Sequence, residues 1–407
     1  MTERYDAVVV GAGPAGAATA ACLARRGAKV ALLDKKRFPR EKLCGGFVSA
    51  EGVWLLESMG IRGLPPCGRF EIIERLVLTT PAGRSVEAPL SSRFPSGHAW
   101  GVSRHILDEW MVRAAELAGA DLFTGMEAAR LERDGARGWS VEARLPSSGP
   151  GAAESAGAAL RLHAPLLIAA DGANSRIGRL LAKGQAAGRK RRRPSRVFGF
   201  QSLYDAPAMR SGTVEIHFFP GGYLGLQRVG SGLTNACGIV DPLRAGVITA
   251  PLDALIEQAA RGNPAARRRL AGAKRVSAWQ AVGGLRFGPL SPVRCGAFFV
   301  GDASGTIEPF TGEGIAMALA SAALLSRATG LFLEGKAGLV EAQLAYARDW
   351  RRAFLRRLQL CRLLRQLAAC GPLLEAGAAA MGRRPSLARA LFLLTRTRPA
   401  AWAQGQP

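Results

Sequence analysis

Three stretches of the chain share one pattern: a short, wholly apolar run, a glycine turn, then a small-residue segment of helical character. Ala7–Val10 leads into Gly11 and the Ala-rich segment Pro14–Arg25. The run at 166–170 leads into Asp171-Gly172 and a helix opened by Asn174, Ser175 and Arg176. The run at 297–300 leads into Gly301-Asp302, then Pro309, Gly312, Gly314 and a long Ala-rich helix. Uninterrupted apolar runs of this length predict parallel strands buried on both faces. A further run at 29–33 predicts a strand ending at Asp34. Between 215 and 240 an aromatic strand runs into Pro220-Gly221-Gly222-Tyr223, and a second strand carries Asn235. From about residue 330 the pattern is helical, and Phe354, Leu358, Cys361 and Leu364 form one stripe with Arg365 intruding on it.

The first of these turns carries its own chemistry. Gly11, Gly13 and Gly16 form G-x-G-x-x-G between strand and helix. The first glycine permits a tight turn, the second lets backbone approach a pyrophosphate, and the third lets the helix pack on the strand. The helix opening at Pro14 and Ala15 points its positive end at the phosphates. Asp34 lies 18 residues beyond Gly16, where a carboxylate accepts ribose hydroxyls, and Lys35 follows it. The acid disfavours a 2′-phosphate, so the expected dinucleotide is FAD or NAD and not NADP.

Composition narrows the picture further. The 407 residues are 48% hydrophobic, enough for a large core and more than one folding unit. Lys and Arg number 55 against 31 Asp and Glu, a net charge of +24, which favours an anionic partner: a phosphate-bearing cofactor, an acidic membrane surface or nucleic acid. The seven cysteines have no C-x-x-C spacing, so neither a disulfide framework nor a metal site is expected, and a reducing cytoplasm fits. Residues 7–24 lack charge, but their glycines and Pro14 break an apolar helix, and Arg25-Arg26 stand on the wrong side for a signal peptide. No transmembrane helix is expected. The small-residue stretch 146–160 reads as a flexible loop and the basic run 189–193 as a solvated crossover, with no aromatic platform to suggest nucleic acid.

With its three glycine motifs in this order, the chain resembles the FAD-dependent oxidoreductases of the para-hydroxybenzoate hydroxylase fold, over residues 5 to about 330. The resemblance implies an α/β fold: a Rossmann-like FAD-binding domain with an inserted β-sheet substrate domain and a helical C-terminal region. It implies that Asp171 and Gly172 join the cofactor site and that Asp302, beside Gly301, bonds FAD oxygens. Gly312, Glu313, Gly314 and Ile315, after Pro309, are then expected to offer backbone N–H groups to the flavin ring. Arg104 matches the family arginine that reaches the cofactor, with Asp108 one helical turn on, and Arg40 or Lys42 adds positive charge nearby.

Within that superfamily, Cys44-Gly45-Gly46 after Phe38-Pro39 is similar to the signature of the geranylgeranyl reductase group. This makes Cys44 the candidate catalytic residue, against the alternative of a small packing side chain, and places Gly45 and Gly46 beside the flavin. Phe218, Phe219 and Tyr223 are the candidate substrate-lining residues. Only Phe219-Pro220 and the glycines survive from that group's strand signature, so the prenyl specificity does not follow from this segment. Gly314 is followed by Ile315-Ala316-Met317, unlike aromatic hydroxylases, and the Trp-rich halogenase motif is absent.

The expected division is a cofactor domain of 1–68, 98–190 and 285–330, a substrate domain of 69–97 and 191–284, and a helical region of 331–407. The expected function is reduction of isoprenoid or alkenyl double bonds through NAD(P)H-reduced FAD. The alternatives are a monooxygenase acting on a polyketide or aromatic product, and a non-catalytic FAD-binding module. Residues 350–407 hold 11 Arg and one Glu. They read as a packed helical layer or as a helix at the membrane surface, through which a lipid substrate reaches the protein. The expected location is the cytoplasm, with peripheral contact at the inner face of the membrane.

Overall fold

The computed structural model describes residues 2–62, 69–90, 94–135, 138–145, 159–183, 195–246 and 251–396. The basic run 189–193 and nearly all of the expected loop 146–160 lie outside the described residues.

The apolar runs form one six-stranded sheet in the order Val293–Arg294, Ala297–Phe299, Leu166–Ala169, Ala7–Val10, Val30–Asp34, Asp121–Thr124. Every pairing in it is parallel except that of the outermost strand Val293–Arg294. Alternate residues face opposite ways and both faces are covered, which is why the runs carry no polar interruption. Val9, Leu32, Ile168 and Phe298 face the helices Pro14–Arg25, Arg104–Leu117 and Gly314–Leu333. Val8, Leu33, Leu167 and Phe299 face a four-stranded sheet that includes Trp139–Arg144 and Leu160–Ala164. Gly314–Leu333 is long and apolar enough to cross a membrane, but 72% of its 18-residue apolar window is buried inside the protein, as in a core helix.

A second, mainly antiparallel sheet holds Arg75–Thr79, Ser85–Pro89, Phe198–Asp205, Thr213–Phe219, Gly222–Arg228 and Thr234–Val240, with short flanking strands. The stretch 215–240, expected as two strands, makes three. The extra reversal falls at 229–233, where Gly230, Ser231 and Gly232 all adopt positive φ. A small sheet of Phe47–Val48, Ala99–Val102 and Phe70–Ile73 is interleaved in sequence with the strands of the two large ones.

The C-terminal region is three helices, Leu339–Ala368, Gly371–Arg383 and Pro385–Leu394. Of the stripe read from the sequence, Phe354, Leu358 and Cys361 are nearly inaccessible and continue a buried face begun by Tyr346 and Trp350, whereas Leu364 is only half-buried. Tyr346 Oη donates to the carbonyl of Phe299 at 2.7 Å, and Trp350 Nε1 donates to Ser304 Oγ at 2.9 Å. That stripe therefore packs against the strand and turn of the third glycine motif and does not face a membrane.

Candidate active site

The three glycine turns converge at the ends of the parallel strands. Gly11 has φ +104°, and a Cβ there would stand 2.5 Å from the carbonyl oxygen of Ala170, so the first turn is pressed against the second. A Cβ on Gly16 would stand 1.7 Å from the carbonyl oxygen of Gly11, contact that no side chain tolerates. Gly301 meets the Cβ of Ala15, which brings the third turn to the first helix. That helix starts with Pro14 at its first position and no side-chain cap, leaving its first N–H groups open.

A ring of cations surrounds this helix start. A Cβ on Gly13 would lie 3.6 Å from terminal nitrogens of both Arg104 and Arg40 and 4.0 Å from Lys42 Nζ. Gly172 also looks onto Lys42 Nζ at 3.6 Å. Asp108 holds the ring in shape: it takes two hydrogen bonds from Arg104 at 2.6 and 2.7 Å and pairs with Arg40 at 3.2 Å. Asp108 is fully buried. Arg104 opens its helix and Asp108 follows one turn later, which puts both on one face. Burial, reinforced by Arg104, lowers the pKa of Lys42. Burial raises that of Asp302, with Lys42 and Arg104 opposing.

Asp34 ends its strand as expected, but its carboxylate is already engaged. Its two oxygens accept the N–H of Ala12 at 2.8 Å and of Lys36 at 2.9 Å, which ties the second strand to the first turn. A carboxylate has about four lone-pair sites, so room for a ribose hydroxyl remains. Lys35 beside it is exposed. Asp171 accepts the N–H of Ile177 through one oxygen, and its other oxygen is buried without a partner.

Cys44 sits where this centre meets the second sheet. Its N–H donates to Gln201 Oε1 at 2.7 Å, and its carbonyl accepts Asn235 Nδ2 at 2.8 Å. Its thiol lies beside the Arg104 guanidinium and accepts the N–H of Gly46 at 3.4 Å. The next residue, Gly45, opens onto an apolar cavity of about 150 Å³. One wall is the second sheet, through Leu76, Leu78, Val214, Ile216 and Tyr223. Another is the turn Pro309, Phe310, Thr311 and Gly312. The C-terminal helices close it with Leu364, Met381, Leu391 and Phe392.

The candidate lining residues divide by strand alternation. Tyr223 lines the cavity and stacks edge-on against Phe310 and Phe218. Phe218 packs behind it in the same cluster. Phe219 points to the opposite face of the sheet, into the core with Phe200 and Leu224, and is no part of the cavity. Successive residues of a strand face opposite ways, so Phe218 and Phe219 cannot both serve.

Glu313 is fully buried between Arg357 and Arg396, each at 2.8 Å. Burial pushes its pKa up to about 7, with Arg396 opposing. Glu308 pairs with Arg365 at 2.7 Å, and burial likewise pushes it up to about 7. These pairs stitch the third glycine motif to the C-terminal helices. Gly314, at the start of the following helix, has nothing within 4 Å of where its Cβ would be, and Ile315 beside it is buried. Sequence reading missed the helical roof of the cavity and the strand residues Gln201, Gln227 and Cys237. The alternation along 213–240 was the available signal for the last two.

Residues 4–222 match a family described as FAD binding domain. The digeranylgeranylglycerophospholipid reductase 2 of Methanopyrus kandleri is 30% identical over 365 residues, covering 88% of this chain and 81% of that protein. The menaquinone reductase of Mycobacterium tuberculosis is 32% identical over 187 residues, 45% of this chain and 41% of that one. Among solved structures, the myxobacterial chondrochloren halogenase superposes with a TM-score of 0.74 at 22% identity, covering 86% of this chain and 80% of its own.

Proposed function

The chain belongs to the FAD-binding-domain oxidoreductases, in the group of the geranylgeranyl reductases, and from that premise we propose that it reduces carbon–carbon double bonds of an apolar isoprenoid-like substrate. It is an FAD-dependent enzyme; the bound substrate and the direction of the chemistry are the proposal. One observation carries it: the cavity that Gly45 and Gly312 open onto is walled almost wholly by aliphatic and aromatic side chains. Such a wall favours a hydrocarbon by the area it removes from water.

The donor set fits FAD. The open N–H groups at Pro14–Arg25 and the cations of Arg104, Arg40 and Lys42 suit the pyrophosphate, and Asp34 suits a ribose. Asp302 and the turn Gly312 to Ile315 are the proposed hold on the flavin end. Gly13, Gly45 and Gly172 keep side chains out of the way, while Gly11, Gly16, Gly46, Gly301 and Gly312 let the surrounding chain close in.

Bound FAD would supply the hydride chemistry between NAD(P)H and the substrate. The second carbon of the double bond then needs a proton. Cys44 Sγ is the proposed source, held between Arg104 and the cavity by the bonds from Gln201 and Asn235 to its backbone. Tyr223 is the neighbouring hydroxyl, and burial raises its pKa so that it stays protonated throughout the physiological range. The C-terminal helices exclude water from the reaction.

Membrane contact is part of the same proposal. The helices that roof the cavity expose Leu363, Leu373, Leu387 and Leu394, set among exposed Arg362, Arg383, Arg384 and Arg389. Leucines with flanking arginines suit the surface of an anionic bilayer, from which a water-insoluble substrate passes into the cavity.

The test is product mass. With NAD(P)H and a prenyl lipid under nitrogen, the product gains two hydrogens. A product that gains oxygen instead, and forms only in air, overturns the proposal in favour of a monooxygenase.

A further inference from the structure

We propose that Gln227 makes a polar subsite inside the apolar cavity and selects substrates that carry a neutral carbonyl or hydroxyl oxygen. This deepens the reading above and rests on its placing the substrate in this cavity.

Gln227 lies on the strand Gly222–Arg228 and lines the cavity. Strand alternation puts it on the same face as Tyr223 and Gly225, whereas Leu224 lies in the core behind. The residue is only 2% exposed, and neither Nε2 nor Oε1 has a hydrogen-bond partner. A buried amide with both ends unmatched is costly, and native structures rarely keep one without a use.

Its cross-strand partner extends the patch. Asn235 pairs with Gln227 in register, and its Oδ1 is also buried and unmatched. Its Nδ2 is spent on the carbonyl of Cys44 at 2.8 Å. The unmatched groups therefore stand next to the Cys44 segment, at the end of the cavity nearest the cofactor centre. A carbonyl oxygen accepts from Gln227 Nε2; a hydroxyl also donates to one of the two amide oxygens.

The electrostatics favour a neutral group. Among the described residues the charged side chain lining the cavity is Arg396, and its Nε is engaged by Glu313 at 2.8 Å. Among the described lining residues an ionised head group would find only this paired cation, whereas an amide serves a neutral oxygen well.

The experiment titrates FAD-loaded protein with two probes and follows the visible flavin spectrum. One probe is farnesylacetone; the other is the same skeleton with its carbonyl replaced by a methylene. Wild type is expected to bind the ketone about tenfold more tightly. In Gln227→Leu that preference falls to within about twofold, the hydrocarbon binds at least as well as before, and thermal stability does not drop. Gln227→Met, of similar volume, repeats the test should the leucine variant fold poorly. A wild type with no ketone preference, or a preference undiminished in either variant, overturns the subsite. Binding needs no turnover: a ketone preference that depends on Gln227 in a protein that reduces no double bond would leave the subsite standing and sink only the reaction.

Discussion

At the scale of single residues, Asp108 decides the shape of the cation ring. It is buried beneath Arg104 and Arg40, so Asp108→Asn leaves buried positive charge uncompensated. Breaking a buried pair in this way costs roughly 3 kcal/mol or more. The expected outcome is a lower melting temperature together with loss of bound flavin, read from the ratio of flavin to protein absorbance. A variant that keeps both at wild-type levels would show that Asp108 does not position the ring. Cys44→Ser bears on the proton source: product formation should fall at least tenfold with flavin content unchanged, and an unaltered rate would make the cysteine a packing residue. Gly11, Gly16 and Asp34 were legible in the sequence because each answers a local backbone or charge requirement, whereas Arg104 was picked out only by the family resemblance. Gln201 and Gln227 were not, since a lone glutamine in a strand announces nothing until the register places it.

At the scale of elements, the helix Leu339–Ala368 is the brace of the third glycine turn. Trp350→Phe removes the donor to Ser304 Oγ, and Ser304 Oγ itself bonds the carbonyl of Gly301. The hydroxyl keeps its bond to Gly301, so the loss in unfolding free energy is that of one net hydrogen bond, about 1 kcal/mol, measurable by urea denaturation. The acid pairs across this interface set a pH dependence. Burial raises Glu313 from 4.5 to about 7 in the folded protein. The native state therefore holds its proton where the unfolded chain has released it. That contribution to stability is full below about pH 4.5 and is lost as pH rises through about 7. Glu313→Gln should flatten the fall of stability between those limits, and an unchanged slope would contradict it. The helical stripe was visible in the sequence, but its destination was not. The same spacing serves a membrane surface or a protein core, and only the packing of Tyr346, Trp350 and Phe354 decides for the core.

At the scale of the whole molecule, net charge and architecture act together. The +24 charge is partly spent on the cofactor centre and partly displayed with leucines on the roof helices. Cosedimentation with anionic vesicles should exceed that with zwitterionic ones and weaken as salt rises through the Debye range. Equal binding to both, or none, would remove the membrane from the account. The fold class was legible because three strand–turn–helix units each carry their full signature locally. The cavity was not, because it is assembled from a sheet, a turn and three helices distant in sequence.

The proposed reaction turns on electrons leaving the flavin for an apolar double bond. In an anaerobic cuvette, NAD(P)H should bleach the yellow protein, and a prenyl lipid added afterwards should restore the colour with no oxygen present. A flavin that stays bleached with every such lipid and recovers only when air is admitted would contradict it.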